Sequence, residues 1–142
     1  MLLTFPSDEW LARWVELAND DPEFRRAGMG WSGSVGCVVK QREDGPRRTV
    51  HWLLTGNDGQ WTDYRSSFEA QITDPARFVL TAPRAEWCKI LRQEIGPFAA
   101  IAAGHVRISG QLSSVLRWAQ ALVEMARLAG LVDTDFDRQP RP

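Results

Sequence analysis

Few side chains in this sequence are suited to making or breaking bonds. Its two histidines lie in alternating segments: His51 shares a strand face with Thr49 and Leu53, and His105 with Arg107 and Ser109. Both read as exposed or singly hydrogen-bonded rather than catalytic. Asp63 stands between Trp61 and Arg65. Inside an apolar cavity its carboxyl would keep its proton to higher pH and could act as a base; beside Arg65 it reads instead as an ion-pair partner or a solvated position. Cys37 and Cys88 are 51 residues apart, which matches no zinc or redox spacing. In the run Ser34–Val39, Cys37 has the role of a small buried apolar residue. The stretch Gly28-Met29-Gly30-Trp31-Ser32-Gly33 satisfies G-x-G-x-x-G. That motif binds a pyrophosphate only when a strand precedes it and a helix follows, and here the order is reversed. Gly33 and Gly36 read as close-approach or bulge positions in a strand. Asp133, Asp135 and Asp137 imitate the start of a calcium loop, but no glycine or closing glutamate follows. Neither G-x-S-x-G nor H-E-x-x-H occurs. The residues therefore assign no catalytic group, no metal and no cofactor.

The elements around these residues point towards binding. Seventeen basic and 18 acidic side chains in 142 residues leave a net charge of −1 and no basic stripe for phosphates, which argues against nucleic acid as a partner. No apolar run approaches the ~20 residues of a membrane span, so stable membrane insertion is not expected. Met1–Pro6 lacks a basic start and a long apolar centre, and a cytoplasmic location is expected. The length fits one domain, residues 1–132, followed by a polar tail over 133–142. Seven tryptophans in so small a chain call for a large apolar interior or an aromatic-lined cavity.

Ser7 is a good helix cap, and Trp10, Trp14, Leu17 and Ala18 follow at helical spacing, predicting a helix over 8–19. Pro22 opens a second short helix through Phe24 and Ala27. The period then changes to two. Val35, Cys37 and Val39 define the buried face of one strand, and Val50, Trp52 and Leu54 that of its return, with turns at Glu43–Pro46 and Gly56–Gly59. Gln60–Ser66 and Arg77–Ala82 give two more strands of an antiparallel meander. Pro83 opens a helix through Trp87, Ile90 and Leu91. A short apolar piece, Phe98–Ala103, leads to a strand around Val106 and Ile108, and a last helix covers about 112–128. This order predicts an α+β fold: a sheet of about five strands with helices covering one face.

In the last helix the polar residues Ser113, Arg117, Gln120, Glu124 and Arg127 form one narrow stripe. A helix facing a single core is apolar over little more than 100°, so this one must be covered on two sides. The cover could be the sheet plus other helices, a partner subunit, a membrane surface or an apolar ligand.

The passage Gly104-His105-Val106-Arg107-Ile108-Ser109-Gly110, with Leu112, Leu116 and the closing helix, resembles the sterol carrier protein 2 family of lipid-binding domains. It is similar to that family's glycine–apolar strand–glycine element before the last helix, although Gln111 stands where many members carry Asp or Asn. The resemblance implies a non-catalytic domain enclosing a sterol, fatty acid or fatty acyl-CoA between sheet and helices. By position it implies a wall containing Leu112, Leu116, Trp118, Ala119, Leu122 and Met125. This sequence adds Trp87, Ile90, Leu91, Phe98 and Ile101. Two alternatives stand beside this reading. One is a small α+β cone enzyme, an isomerase or hydratase with Asp63 or His51 as acid or base. The other is a homodimer formed through the broad face of the last helix.

Overall fold

The computed structural model describes residues 1–41, 49–68 and 70–138, so the expected turn at Glu43–Pro46 lies outside the described residues. A short strand, β1 (Leu3–Thr4), precedes two helices that start on side-chain caps. Ser7 Oγ accepts the backbone N–H of Trp10 at 3.1 Å and opens α1 (Asp8–Asn19). Asp21 Oδ2 accepts that of Phe24 at 2.8 Å and opens α2 (Pro22–Ala27).

The sheet is built from β2 (Ser32–Lys40), β3 (Val50–Asn57), β4 (Gln60–Phe68), β5 (Phe78–Pro83) and β6 (Arg107–Gly110), in the order β4-β3-β2-β5-β6. Three of its joints are antiparallel, as alternation and turns predict. The fourth is not: β5 pairs with β2 in parallel, Val35 facing Phe78 and Val39 facing Ala82. The sheet is therefore mixed, because the chain crosses from β4 to the far side of β2. Side-chain periodicity reports which residues share a face and carries no information about this crossing. Gly36 shows the route. A Cβ there would come within 2.8 Å of Thr73 Cγ2, so the crossover lies against the face of β2 away from Val35 and Cys37. Gly33, at φ +139°, is likewise crowded by the Arg77 side chain, which fits a close-approach role.

Helices α3 (Arg84–Leu91) and α4 (Pro97–Ala102) follow β5. The second replaces what the sequence showed only as an apolar connection; Pro97 at its first turn supplies the start. The last helix is a further correction. It is two helices, α5 (Leu112–Arg117) and α6 (Ala119–Ala129), separated at Trp118, whose backbone sits at φ −104° and ψ 17°. The apolar period runs through the break, because hydrogen bonds from Trp118 N to Ser114 O (3.0 Å) and from Leu122 N to Trp118 O (3.1 Å) keep the helical phase. Helix α6 packs beside α1, α2, α3 and α4, which accounts for its unusually broad apolar surface.

The segment expected as a polar tail also carries structure. Strand β7 (Thr134–Asp135) pairs in parallel with β1, and Arg84 Nε donates to Phe5 O at 2.8 Å while its Nη2 donates to Phe136 O at 3.2 Å. Two residues per strand are too few to show a period, so the sequence held no signal for this pairing.

Candidate ligand cavity

One face of the sheet and the helices over it enclose a cavity of about 60 Å³. From the sheet, its wall takes Val35, Cys37 and Val39 on β2, Trp52 and Leu54 on β3, Trp61 on β4 and Leu80 on β5. These are the alternate, inward positions of each strand. From the helices come Trp10 and Trp14, then Trp87, Ile90 and Leu91, then Pro97 and Ile101, and finally Trp118, Leu122 and Met125.

Of the positions expected in a wall, the structure thus brings together Trp87, Ile90, Leu91, Ile101, Trp118, Leu122 and Met125. It does not bring Phe98, Leu112, Leu116 or Ala119 to it. Leu112 and Leu116 are 61% and 75% exposed, because α5 buries Ser114 and Val115 and these two leucines lie on its other side. The sheet side and α1 were missed as wall residues. Their faces were legible from alternation, but which sheet face the helices cover was not.

Six of the seven tryptophans stand in this wall. The interior is nearly filled: about 60 Å³ is room for a few waters, whereas pockets for drug-sized molecules run to ~300–1,000 Å³. Anything larger than a few waters would need side chains or helices to move apart. Met125, unbranched and adaptable, is the wall residue best suited to yield.

Among the described residues, no charged side chain reaches the wall. Its one titratable group, the Cys37 thiol, is pushed up to about 12 by burial and stays neutral. The residues considered as acid or base are all elsewhere. Asp63 is exposed, with Arg65 at 3.8 Å, as an ion-pair partner would be. His105 Nδ1 lies 3.7 Å from Glu86, outside the cavity. His51, opposite Val38 and Ser67, is also absent from the wall, and partial burial lowers its pKa. Among the described residues, no group of three or more His, Cys, Asp or Glu is placed to hold a metal ion.

The wall's polar atoms are chiefly its indole nitrogens, and they divide into two sets. Trp10 Nε1 donates to Thr134 Oγ1 at 2.9 Å, Trp14 to Met125 O at 3.0 Å, Trp52 to Ser66 Oγ at 3.1 Å and Trp87 to Val38 O at 3.1 Å. Trp61 and Trp118 are 6% and 4% exposed, yet their buried Nε1 atoms have no acceptor among the described residues. Leaving such a donor unmet costs about 1–3 kcal/mol.

The comparisons with solved structures agree with this architecture. The structure of sterol carrier protein 2 superposes at a TM-score of 0.78 with 24% identity, covering 89% of this chain and 97% of that one. The chain has the sterol carrier protein 2 fold. A Thermus thermophilus protein described as possibly a sterol carrier protein gives the same TM-score at 23% identity, with coverage of 92% and 90%. Palmitated SCP2L2 from Aedes aegypti is more distant, at 0.52 and 13%, with coverage of 80% and 94%. No protein-family model matches the sequence, and no curated protein matches it. The segment Gly104–Gly110, which resembles the sterol carrier element, contains β6, and Gln111 after it occupies the cap position of α5. Its side chain does not cap the helix; Oε1 accepts from Ser114 Oγ at 3.0 Å. No helix among the described residues is long and apolar enough to cross a membrane.

Proposed function

We propose that this chain binds and carries an apolar lipid without chemically altering it. The observation that supports this most directly is the wall itself: an uncharged, aromatic-rich lining between sheet and helices, with no acid or base in it among the described residues. Such a surface has little to offer a polar substrate, while each Å² of apolar ligand removed from water contributes about 25 cal/mol. The likeness in fold to sterol carrier protein 2 and to a palmitated domain points the same way.

Titrating fatty acids, acyl-CoAs and sterols against the protein tests the proposal. A ligand that enters must contact several of the six wall tryptophans, so their emission changes. At a hundred times its Kd it also stabilises the fold by about 2.7 kcal/mol, read as a rise in Tm. Native mass spectrometry of freshly purified protein shows directly whether a lipid co-purifies. A panel in which no lipid moves either emission or Tm sinks the proposal.

A further inference from the structure

We infer, resting on the lipid-binding reading, that the ligand carries an uncharged carbonyl oxygen, as in a ketone or ester, which accepts hydrogen bonds from the indole N–H groups of Trp61 and Trp118. Four wall tryptophans spend their N–H on the protein's own frame; these two do not. The two rings are neighbours, 5.6 Å apart at 81°, and both border the cavity. In that edge-to-face arrangement at most one N–H can meet the other ring, and such a contact is a weak substitute for an oxygen.

The chemistry of the wall narrows the partner. Indole is a donor only, and a carbonyl oxygen has two lone pairs and no hydrogen to place. A hydroxyl would bring a hydrogen for which no wall side chain offers a strong acceptor. A carboxylate would be stripped of water with no cation in the wall to face it. Two arginines, Arg77 and Arg117, line a separate groove that Trp118 also borders.

The test uses ligands of equal length: 2-decanone, 2-decanol, decane and decanoate, each displacing the apolar dye N-phenyl-1-naphthylamine from the intact protein. The ratio of ketone to alkane affinity cancels the common apolar contribution. That ratio is expected to fall about tenfold in Trp118→Phe and in Trp61→Phe, and the wild type is expected to rank ketone above alcohol. In ¹H–¹⁵N spectra of the wild type, ketone should move two indole signals downfield, those missing in the two variants, and decane should not. These spectra decide the matter if a variant fails to fold. An unchanged ratio, with indole signals that answer ketone and decane alike, overturns this inference and leaves lipid binding standing. Decanoate binding more tightly than ketone, and losing that advantage in Arg77→Gln or Arg117→Gln, overturns it in favour of an anionic head in that separate groove. If neither dye nor any of the four ligands binds, the lipid-binding reading falls and takes this one with it.

Discussion

Two aromatic clusters border the cavity, and they are built to different ends. In the first, Phe5, Trp10, Trp14 and Trp52 meet at centroid distances of 4.8 to 6.2 Å, and each of the three indoles is hydrogen-bonded. Trp10 ties α1 to β7, Trp14 ties α1 to α6, and Trp52 ties β3 to β4. In the second, Trp118 stacks on Trp31 at 4.7 Å and meets Trp61, Phe24 and Phe78. Only Trp31 has an acceptor there, the Gly33 carbonyl at 3.3 Å, and Arg77 lies over its ring. The apolar burial is similar, so the polar tips make the difference. A ring anchored at its edge holds elements in place; a ring whose edge is free is available to something else.

The largest expected effects lie in the anchored cluster. Trp10 and Trp52 are fully buried, and replacing either by alanine should cost about 3–5 kcal/mol, read from urea unfolding. A loss below about 1 kcal/mol would mean that the first cluster is not the scaffold.

Next in size is a contrast between the two halves of the last helical stretch. Leu122→Ala opens the cavity wall and should cost about 2–5 kcal/mol. Leu116→Ala, on the exposed side of α5, should stay within about 0.5 kcal/mol. Equal losses would place Leu116 in the interior.

That contrast marks where the sequence stops being legible. The α+β class, the helix cap at Ser7, the Pro22 start of α2 and the inward faces of β2 and β3 follow from periodicity and from residue chemistry close to each position, while the last-helix wall residues come by position from the family resemblance. Leu112 and Leu116, expected in the wall by position from the resemblance, stand exposed on the side of α5 away from Ser114 and Val115. Which side of this stretch is buried is set where the Trp118 ring meets rings on α2, β4 and β5 and just before β2, partners brought together only by folding. The parallel joint of β5 with β2 is lost for a related reason: it depends on where a crossover passes. Division of the tryptophans into anchored and free could not be read at all, because an acceptor such as Met125 O is 111 residues from its donor.

A smaller effect separates the clusters directly. Trp10→Phe and Trp118→Phe remove the same volume from buried sites, but only the first removes a hydrogen bond. Trp10→Phe should therefore be the more destabilising by about 1 kcal/mol. Equal losses in paired unfolding curves would erase the distinction between the clusters.

The smallest effect uses a third unmet donor or acceptor as a control. His51 Nδ1 is also buried without a partner, but it stands outside the cavity wall, on a residue opposite Val38 and Ser67. Burial lowers its pKa from 6.5. The unfolded chain then takes up the proton first, so stability is full above about 6.5 and declines as pH falls through the folded pKa. His51→Gln should flatten that decline, seen as a smaller loss of Tm between pH 7 and pH 5 than in the wild type. Affinity for an uncharged ligand should not follow the same titration, since the wall's only ionisable group is the Cys37 thiol, at about 12. An affinity that fell in step with His51 protonation would show that the two sides of the sheet act on each other. An unmet polar atom would then report coupling through the fold, and Trp61 and Trp118 would need a different account.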